Sequence, residues 1–402
     1  MPCIKDYLLL IKDVKMDLKK YQSQLNNIQT PCYVYDLNLL EQTLLACKNA
    51  ADQYNFEVHY ALKANVNPSI LSAIQAKNFG ADCVSGNEVK AAINAGFSKD
   101  KVVFAGVGKT DQEINEALAL AIFCFNVESL QEIEIINELA HAQNKIAKIA
   151  LRLNPNVNAN THRYITTGLS ENKFGINFWE LEKVIDLIKI SPNIDLIGLH
   201  FHVGSQINDL QVFKNLCAKV NEFTAWFDAR QIPLKVLNLG GGLGIDYYHP
   251  KTNNLVNFEA YFAIFNQFII RKPGQEIHFE LGRSLVGAVG ALLSRVVYIK
   301  EGIQTNFAIL DAGMTDLLRP ALYQAYHKIE NLSKQHESIS KKYDVVGPIC
   351  ESSDCFGKAV ELPLTSRGDL MVIYSTGAYG EVMSSNYNLR EKAKVLLLQK
   401  PI

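Results

Sequence analysis

An excess of charge of either sign is missing from this 402-residue chain: 40 Lys and Arg stand against 41 Asp and Glu, a formal net charge of -1. No strong field is available to attract nucleic acid or an anionic bilayer. Long apolar runs are missing too. The stretch YLLLI at 7–11 is too short to span a bilayer, and the charges around it do not make a secretory signal, so a cytoplasmic protein is expected. There is no low-complexity segment and no Gly/Ser linker. Eight cysteines are scattered along the chain, yet none forms Cys-x-x-Cys and no His-x-x-x-His occurs. Cys350 and Cys355 make a lone Cys-x4-Cys without a second pair of matching spacing, a poor basis for a zinc or redox centre, so no metal is expected. Cys83 and Cys124 lie in strand-like runs, where a thiol behaves as a small buried apolar group.

What is present is an ordinary globular composition, 48% hydrophobic and 20% charged, on a chain long enough for a large core and more than one domain. From residue 56 to 283 strand-like runs alternate with amphipathic stretches such as NEVKAAINAGF and SLQEIEIINELAHAQ. The runs are FEVHYAL (56–62), ADCV (81–84), VVFAG (102–106), FCFNV (123–127), IALRL (149–153), LIGLHFHV (196–203), VLNLGG (236–241) and IHFEL (277–281). Eight such units predict an α/β fold of the parallel (β/α)8 TIM-barrel type, whose functional residues gather at the C-terminal strand ends. Those ends carry Lys63, Asp82 and Ser85, Gly106, Asn126, Arg152 and Asn154, His200 and His202, Gly240 to Gly242, and Glu280 with Arg283. Beyond about 284 the period changes to short strand-like segments, ALLSRVVYIKEG, TNFAILDAG, YDVVGPI and DLMVIYSTGAY, which predict a mostly β domain. NLSKQHESISKK reads as a loop within it, and PCYVYDL (31–37) is a candidate to pair with it. The first thirty residues look helical and carry no chemical motif.

Four motifs could do chemistry. Lys63 in HYALKAN ends an apolar strand, where a lysine acts as an amine nucleophile or merely caps the strand. LNLGGGLG at 237–244 fits an anion cradle or a tight turn; it is not a dinucleotide fingerprint, because Ile245 stands where a third glycine is required. HFELGR places Glu280 three residues before Arg283, as a site carboxylate or as half of an ion pair. LHFHVGSQ spaces His200 and His202 by two, which suits stacking on a flat ring, a metal pair or satisfied core histidines. Together an amine, an anion cradle, a carboxylate and a stacking imidazole on one barrel face are the fittings for pyridoxal 5′-phosphate.

These residues sit in longer stretches: YALKAN, GADCVSGNE, RLNPNVNANTHRYITTGLSENKFGI, HFHVGSQ, LGGGLG, ELGR, DAGMTDLLRPALY, VGPICESSDCF and GAYG. With them, from about residue 30 to 390, the chain resembles the fold-type III pyridoxal-phosphate-dependent decarboxylases, and among these the group acting on diaminopimelate. The resemblance implies an alanine racemase-like barrel over 39–283. It also implies a β-rich domain from 1–38 and 284–402 that completes the active site of a partner subunit in a homodimer. It makes Lys63 the Schiff-base lysine and sets Gly240, Gly241, Gly242 and Ser205 around the phosphate. His202 would stack on the ring and Glu280 face its nitrogen, with Asp82, Arg152, Gly282, Arg283 and Tyr379 as further cofactor contacts. Alanine racemase uses an arginine opposite that nitrogen, so a carboxylate argues for decarboxylation.

Substrate contacts implied in the same way are Arg283, Arg319, Tyr323, Glu351 and Tyr379, with the arginines on a distal carboxylate and Glu351 on a distal ammonium. Cys350 corresponds to the acid that protonates the carbanion, and ENKFG (171–175) to the substrate end of the pocket. Asp354 and Cys355 read as support. The implied reaction converts meso-2,6-diaminopimelate to L-lysine and CO2, the last step of lysine biosynthesis. An alternative is a decarboxylase of another basic amino acid or polyamine precursor, such as carboxynorspermidine, ornithine or arginine. A non-catalytic single-barrel cofactor carrier would lack the second domain. The chain departs from the family pattern at Leu281 and Arg163, where proline is usual, at Thr315 for asparagine, and in YNLRE, which lacks a proline.

Overall fold

The computed structural model describes residues 15–25, 27–157, 173–252, 255–334 and 337–399. Residues 1–14 of the helix-like start, THRYITTG with Arg163, and the first two residues of ENKFG lie outside the described residues. The described part of the start holds only two short helical turns, Leu18–Tyr21 and Gln22–Leu25.

Two compact units divide the chain. One comprises Leu44–Gly244 and Asn257–Gly282; the other comprises the described residues up to Thr43, the segment Ile245–Val256 and the described residues from Arg283 onward. The sequence-based boundary of 39–283 differs from this division chiefly at Ile245–Val256. That segment is held inside the second unit by the Tyr248–Tyr326 ring stack at 4.4 Å and by the Lys251–Glu330 ion pair at 2.6 Å.

Strand β1 (Cys32–Asp36) precedes the barrel. The barrel is closed by eight parallel strands: β2 (Phe56–Ala61), β3 (Gly80–Cys83), β4 (Val102–Phe104), β5 (Cys124–Val127), β6 (Ala147–Arg152), β7 (Ile194–His200), β8 (Val236–Asn238) and β9 (Glu276–Leu281). β9 returns to pair with β2, His59 lying opposite Glu280. Val103, Cys124, Ala150, Ile197 and Val236 form one buried apolar cluster of this unit. Burial pushes the Cys83 and Cys124 thiols up, in keeping with inert apolar packing. Outside the strands, the aromatic face of helix Phe258–Phe268 meets β9: the Phe262 and Phe265 rings lie 4.9 and 4.8 Å from Phe279. Side chains of this size stabilise by about 1.5–3 kcal/mol each when buried.

Three consecutive strand-to-helix loops carry the same capping device. Ser85, Thr110 and Ser129 accept a hydrogen bond from the backbone N–H three residues on, at Glu88, Glu113 and Glu132. The glutamates reach back to backbone N–H groups at Val84, Thr110 and Glu128. This Ser/Thr-x-x-Glu chemistry satisfies the orphan donors of each helix start and fixes the loops that carry the candidate site.

The second unit is built on β1 and seven later strands: β10 (Gly290–Glu301), β11 (Asn306–Leu310), β12 (Ile329–Asn331), β13 (Ser340–Val346), β14 (Cys355–Pro363), β15 (Leu370–Ile373) and β16 (Lys394–Leu398). β1 pairs antiparallel with β10 and parallel with β16, so it is a central strand, and all five of its residues are buried. β12, β14 and β16 were not legible in the sequence. β14 alternates poorly (CFGKAVELP), and β13 begins inside the predicted loop, at Ser340, where it pairs with the end of β14.

Candidate active site

Lys63 follows β2 in a single 3-10 turn, Leu62–Ala64. Leu62 and Ala64 are buried, while the Tyr60 hydroxyl donates to the Asn65 carbonyl at 2.8 Å and ties the turn. Lys63 is left as the half-exposed residue, and its Nζ donates to Asp82 Oδ2 at 2.7 Å. A Cβ on Gly282 would lie 3.0 and 3.1 Å from the Ala64 and Ala61 methyls, so this glycine serves close packing against the Lys63 turn. Asp82 is fully buried, and its other oxygen has no hydrogen-bond partner among the described residues. Burial, reinforced by the Glu280 charge and opposed by Lys63, raises the Asp82 carboxyl above its ordinary range.

Glu280 on β9 is fixed by three donors from three other strands. Its Oε1 accepts from Asn126 Nδ2 on β5 at 3.0 Å and from Asn238 Nδ2 on β8 at 2.7 Å. Its Oε2 pairs with His200 Nε2 on β7 at 3.0 Å. Burial would raise this carboxyl, but the His200 contact and the nearby Lys63 charge hold it below the usual carboxylate range. His200 Nδ1 is buried with no hydrogen-bond partner among the described residues. His200 thus helps hold the Glu280 carboxylate in place.

The glycine run works through backbone approach. Gly240 and Gly242 have φ of 68° and 102°, and a Cβ on Gly241 would stand 1.8 Å from the Glu280 carbonyl oxygen. Gly240 N–H donates to Asn238 Oδ1 at 3.0 Å, and Gly241 N–H to His202 Nδ1 at 3.4 Å. Ser205 lies half-buried after the left-handed Gly204. Arg152 ends β6, donates to Glu128 Oε1 at 2.8 Å and sits 4.7 Å over the Phe174 ring. Glu128 also accepts from Gly106 N–H and Gly175 N–H, so it organises two loops. Lys109, nearly fully buried, joins Glu132 at 2.5 Å and the carbonyls of Gly106 and Asn126.

The second unit brings Arg283, Arg319, Tyr247, Tyr379 and His327 together. Arg283 donates to the Tyr247 hydroxyl at 2.5 Å and lies 4.8 Å over the Tyr379 ring. Arg319, at the start of the short helix Arg319–Tyr323, lies 4.9 Å over the Tyr247 ring and donates to His327 Nε2 at 2.8 Å. His327 Nδ1–H in turn donates to the Tyr374 carbonyl. Both arginines are buried, at 6% and 5% exposure, and Arg319 Nε has no partner among the described residues. Burial, with the adjacent Arg283 charge, pulls Arg319 below its ordinary value. Tyr323, at the end of the same short helix, is half-buried. Tyr379 has φ 57°, a left-handed geometry rarely held by an aromatic residue without a local reason. Cys350 and Glu351 are exposed, on a loop whose base is gripped by Asp354 through the N–H groups of Ile349 and Met314. Asp354 thus anchors the base of this loop, and Cys355 opens β14.

Asn238, Glu128, Glu132, Lys109, Tyr247 and His327 were given no role by sequence reasoning, and Asn126 only a place. The signal available was positional. Asn126 and Glu128 flank the end of β5, and Asn238 stands two residues before the first glycine of the run.

His59, His202 and His327 are each held down at about 3, by burial first and then by a neighbouring imidazole or cation. Their folded values lie below the unfolded value of about 6.5, so they stabilise the fold only while neutral. That contribution is complete above about pH 6.5 and is lost as the pH falls towards 3. Thermal unfolding of the apoprotein between about pH 8 and pH 4 should show a Tm that is flat and then falls below about pH 6.5, as each group withdraws up to about 1.4 kcal/mol of stability per pH unit. A Tm that is constant down to about pH 4 refutes buried neutral histidines.

Among the described residues no helix is long and apolar enough to cross a membrane, and no three His, Cys, Asp or Glu side chains are grouped to hold a metal ion. A lysine amine, an aligned carboxylate, and buried atoms at Asp82 Oδ1 and His200 Nδ1 without partners among the described residues form a donor set that fits an organic cofactor. Residues 38–287 match the family described as pyridoxal-dependent decarboxylase, pyridoxal binding domain. The chain belongs to this family, its cofactor is pyridoxal phosphate, and it is a carboxy-lyase. The diaminopimelate decarboxylase of Bacteroides thetaiotaomicron is 55% identical over 368 residues, 91% of this chain and 95% of that protein. That of Campylobacter jejuni is 39% identical over 386 residues, 96% of this chain and 94% of that protein. The crystal structure of diaminopimelate decarboxylase from Helicobacter pylori complexed with L-lysine matches with TM-score 0.88 and 38% identity, covering 95% of this chain and 94% of that one.

Proposed function

We infer that the chain decarboxylates meso-2,6-diaminopimelate to L-lysine and CO2, the final step of lysine biosynthesis. The observation that carries the chemistry is Glu280, a buried carboxylate kept ionised and immobile by Asn126, Asn238 and His200. Bound pyridoxal phosphate supplies the sink for the electron pair released when the carboxyl group leaves. Lys63 Nζ would hold the cofactor covalently, and Glu280 would hold a proton at its pyridine nitrogen. His202 would cover its ring, and Ser205 with Gly240 to Gly242 would take its phosphate. Asp82 keeps the Lys63 amine oriented, Arg152 braces the loops through Glu128, and Gly282 lets the Lys63 turn pack.

The choice of substrate is supported by the buried Arg283–Tyr247–Arg319 pile, which offers bidentate donors to a second carboxylate. Tyr323 and Tyr379 line the same binding surface, and Glu351 takes the distal ammonium. Cys350 returns a proton to carbon after CO2 has left. Both stand on an exposed loop, in keeping with a homodimer in which Cys350 and Glu351 of one subunit complete the site around Lys63 of the other. All seven described cysteines are free thiols, which supports a reducing, cytoplasmic setting.

The test is a product assay on the holoenzyme with meso-diaminopimelate, ornithine, arginine and carboxynorspermidine side by side. Lysine and CO2 should form from diaminopimelate alone; faster turnover of any other substrate replaces this reading. Cys350→Ala should keep cofactor binding and lose turnover by about 10²- to 10³-fold. Mixing Cys350→Ala with Lys63→Ala subunits should restore activity through hybrid dimers with one intact site. No recovery, once subunit exchange is demonstrated, argues against the shared site.

A further inference from the structure

The loop bearing Cys350 and Glu351 is anchored at its base by Asp354, yet its tip needs separate restraint. Two exposed carboxyl and thiol side chains at a loop tip would otherwise sample many rotamers. The tip is restrained by a second segment of the same unit, the turn Tyr387–Leu389. The Tyr387 hydroxyl donates to Glu351 Oε1 at 2.7 Å, and Asn388 Oδ1 accepts from the Cys350 N–H at 3.3 Å. The turn is itself tied down: Asn386 Nδ2 donates to the Arg390 carbonyl at 3.0 Å, and Arg390 donates to the Asp311 carbonyl at 3.2 Å.

The backbone of this turn is unusual. Asn388 and Leu389 both have φ of 55°, two consecutive non-glycine residues in the left-handed region. Asparagine tolerates that conformation and leucine does not, and Leu389 is 96% exposed, so packing within the unit does not explain it. What the strained geometry delivers is the Asn388 side chain at the Cys350 amide, beside the phenol at Glu351. The phenol's titration is raised by its bond to that carboxylate, as expected for a donor held on an anion.

We propose that Tyr387 is a positioning residue for substrate selectivity: its hydroxyl aims the Glu351 carboxylate at the distal ammonium of the substrate, while Asn388 fixes the Cys350 backbone alongside. This rests on the assignment of Glu351 as the ammonium ligand. A carboxylate already oriented by a donor loses less freedom on binding than a free one, so the phenol acts on substrate affinity and not on the bond-breaking step. One Glu351 oxygen is taken by Tyr387, which leaves the other for the ammonium.

Steady-state kinetics of the holoenzyme test this. Tyr387→Phe removes one oxygen from a half-exposed ring and should raise KM for meso-diaminopimelate about five- to twentyfold with kcat within about twofold. Glu351→Gln should raise KM at least as much, and Tyr387→Phe in that background should add less than about twofold, because the two side chains act as one unit. The inhibition constant of 2-aminopimelate, which keeps both carboxylates and lacks the distal amine, should be the same in Tyr387→Phe and the parent. If Glu351→Gln raises KM and Tyr387→Phe does not, or if 2-aminopimelate binding weakens equally, the positioning role is wrong while the ammonium assignment stands. If Glu351→Gln leaves KM unchanged, the ammonium assignment fails and this role falls with it.

Discussion

Lys63→Ala should leave a folded protein that no longer carries cofactor covalently and whose turnover is lower by on the order of 10⁴-fold or more. Borohydride treatment of the parent holoenzyme followed by peptide mapping should place the pyridoxyl group on Lys63, and the variant should carry none. The structural reason lies in the pair with Asp82. Lys63 Nζ is the hydrogen-bond partner of Asp82 Oδ2, and the other Asp82 oxygen is already buried without one. Removing the amine would strand a buried carboxylate, and the cheaper outcome is uptake of a proton, towards which burial and Glu280 already push it. The variant should therefore fold with a neutral Asp82. Label on another lysine, or a variant retaining more than about 1% of the parent rate, removes Lys63 from the mechanism.

Glu280→Gln should bind cofactor and lose about 10²- to 10³-fold in kcat, the scale seen when one preorganised electrostatic group is removed. The substitution keeps the shape but changes the proton pattern. The amide oxygen still accepts from Asn126 and Asn238, which leaves its NH2 facing His200 Nε2. His200 must then turn that nitrogen into an acceptor and carry its proton on Nδ1, which is buried and has no partner among the described residues. The cost of an unsatisfied buried donor, about 1–3 kcal/mol, should appear as a lower Tm. The ¹⁵N shift of the labelled pyridine nitrogen in the holoenzyme should report loss of its proton. An unchanged kcat, or a nitrogen still protonated, defeats the role assigned to Glu280.

Both residues were legible in the sequence because each ends a strand-like apolar run, and a barrel places its chemistry at such ends. Their support was not. Glu280 is held by Asn126, 154 residues away, Asn238, 42 away, and His200, 80 away. Nothing in the local pattern around those residues marks them as partners. The two histidines of LHFHVGSQ looked alike in sequence, and only the end of β7 separates them. His200 is the last strand residue and meets Glu280, while His202 lies beyond it and receives the Gly241 N–H.

By itself the sequence determined the eight-unit barrel, the change to β structure near 284, and the residue types at each strand end. Hydrophobic period and Ser/Thr-x-x-Glu capping act over a few residues and are written directly in the chain. Tertiary structure alone decided the partners of each polar group, the strands β12, β14 and β16, and the transfer of Ile245–Val256 and Arg283 to the second unit. It also set Tyr387 and Asn388 on the loop of Cys350 and Glu351, 36 and 38 residues earlier. Such pairings depend on closing long loops onto specific donors and acceptors, and no local propensity encodes which ends will meet.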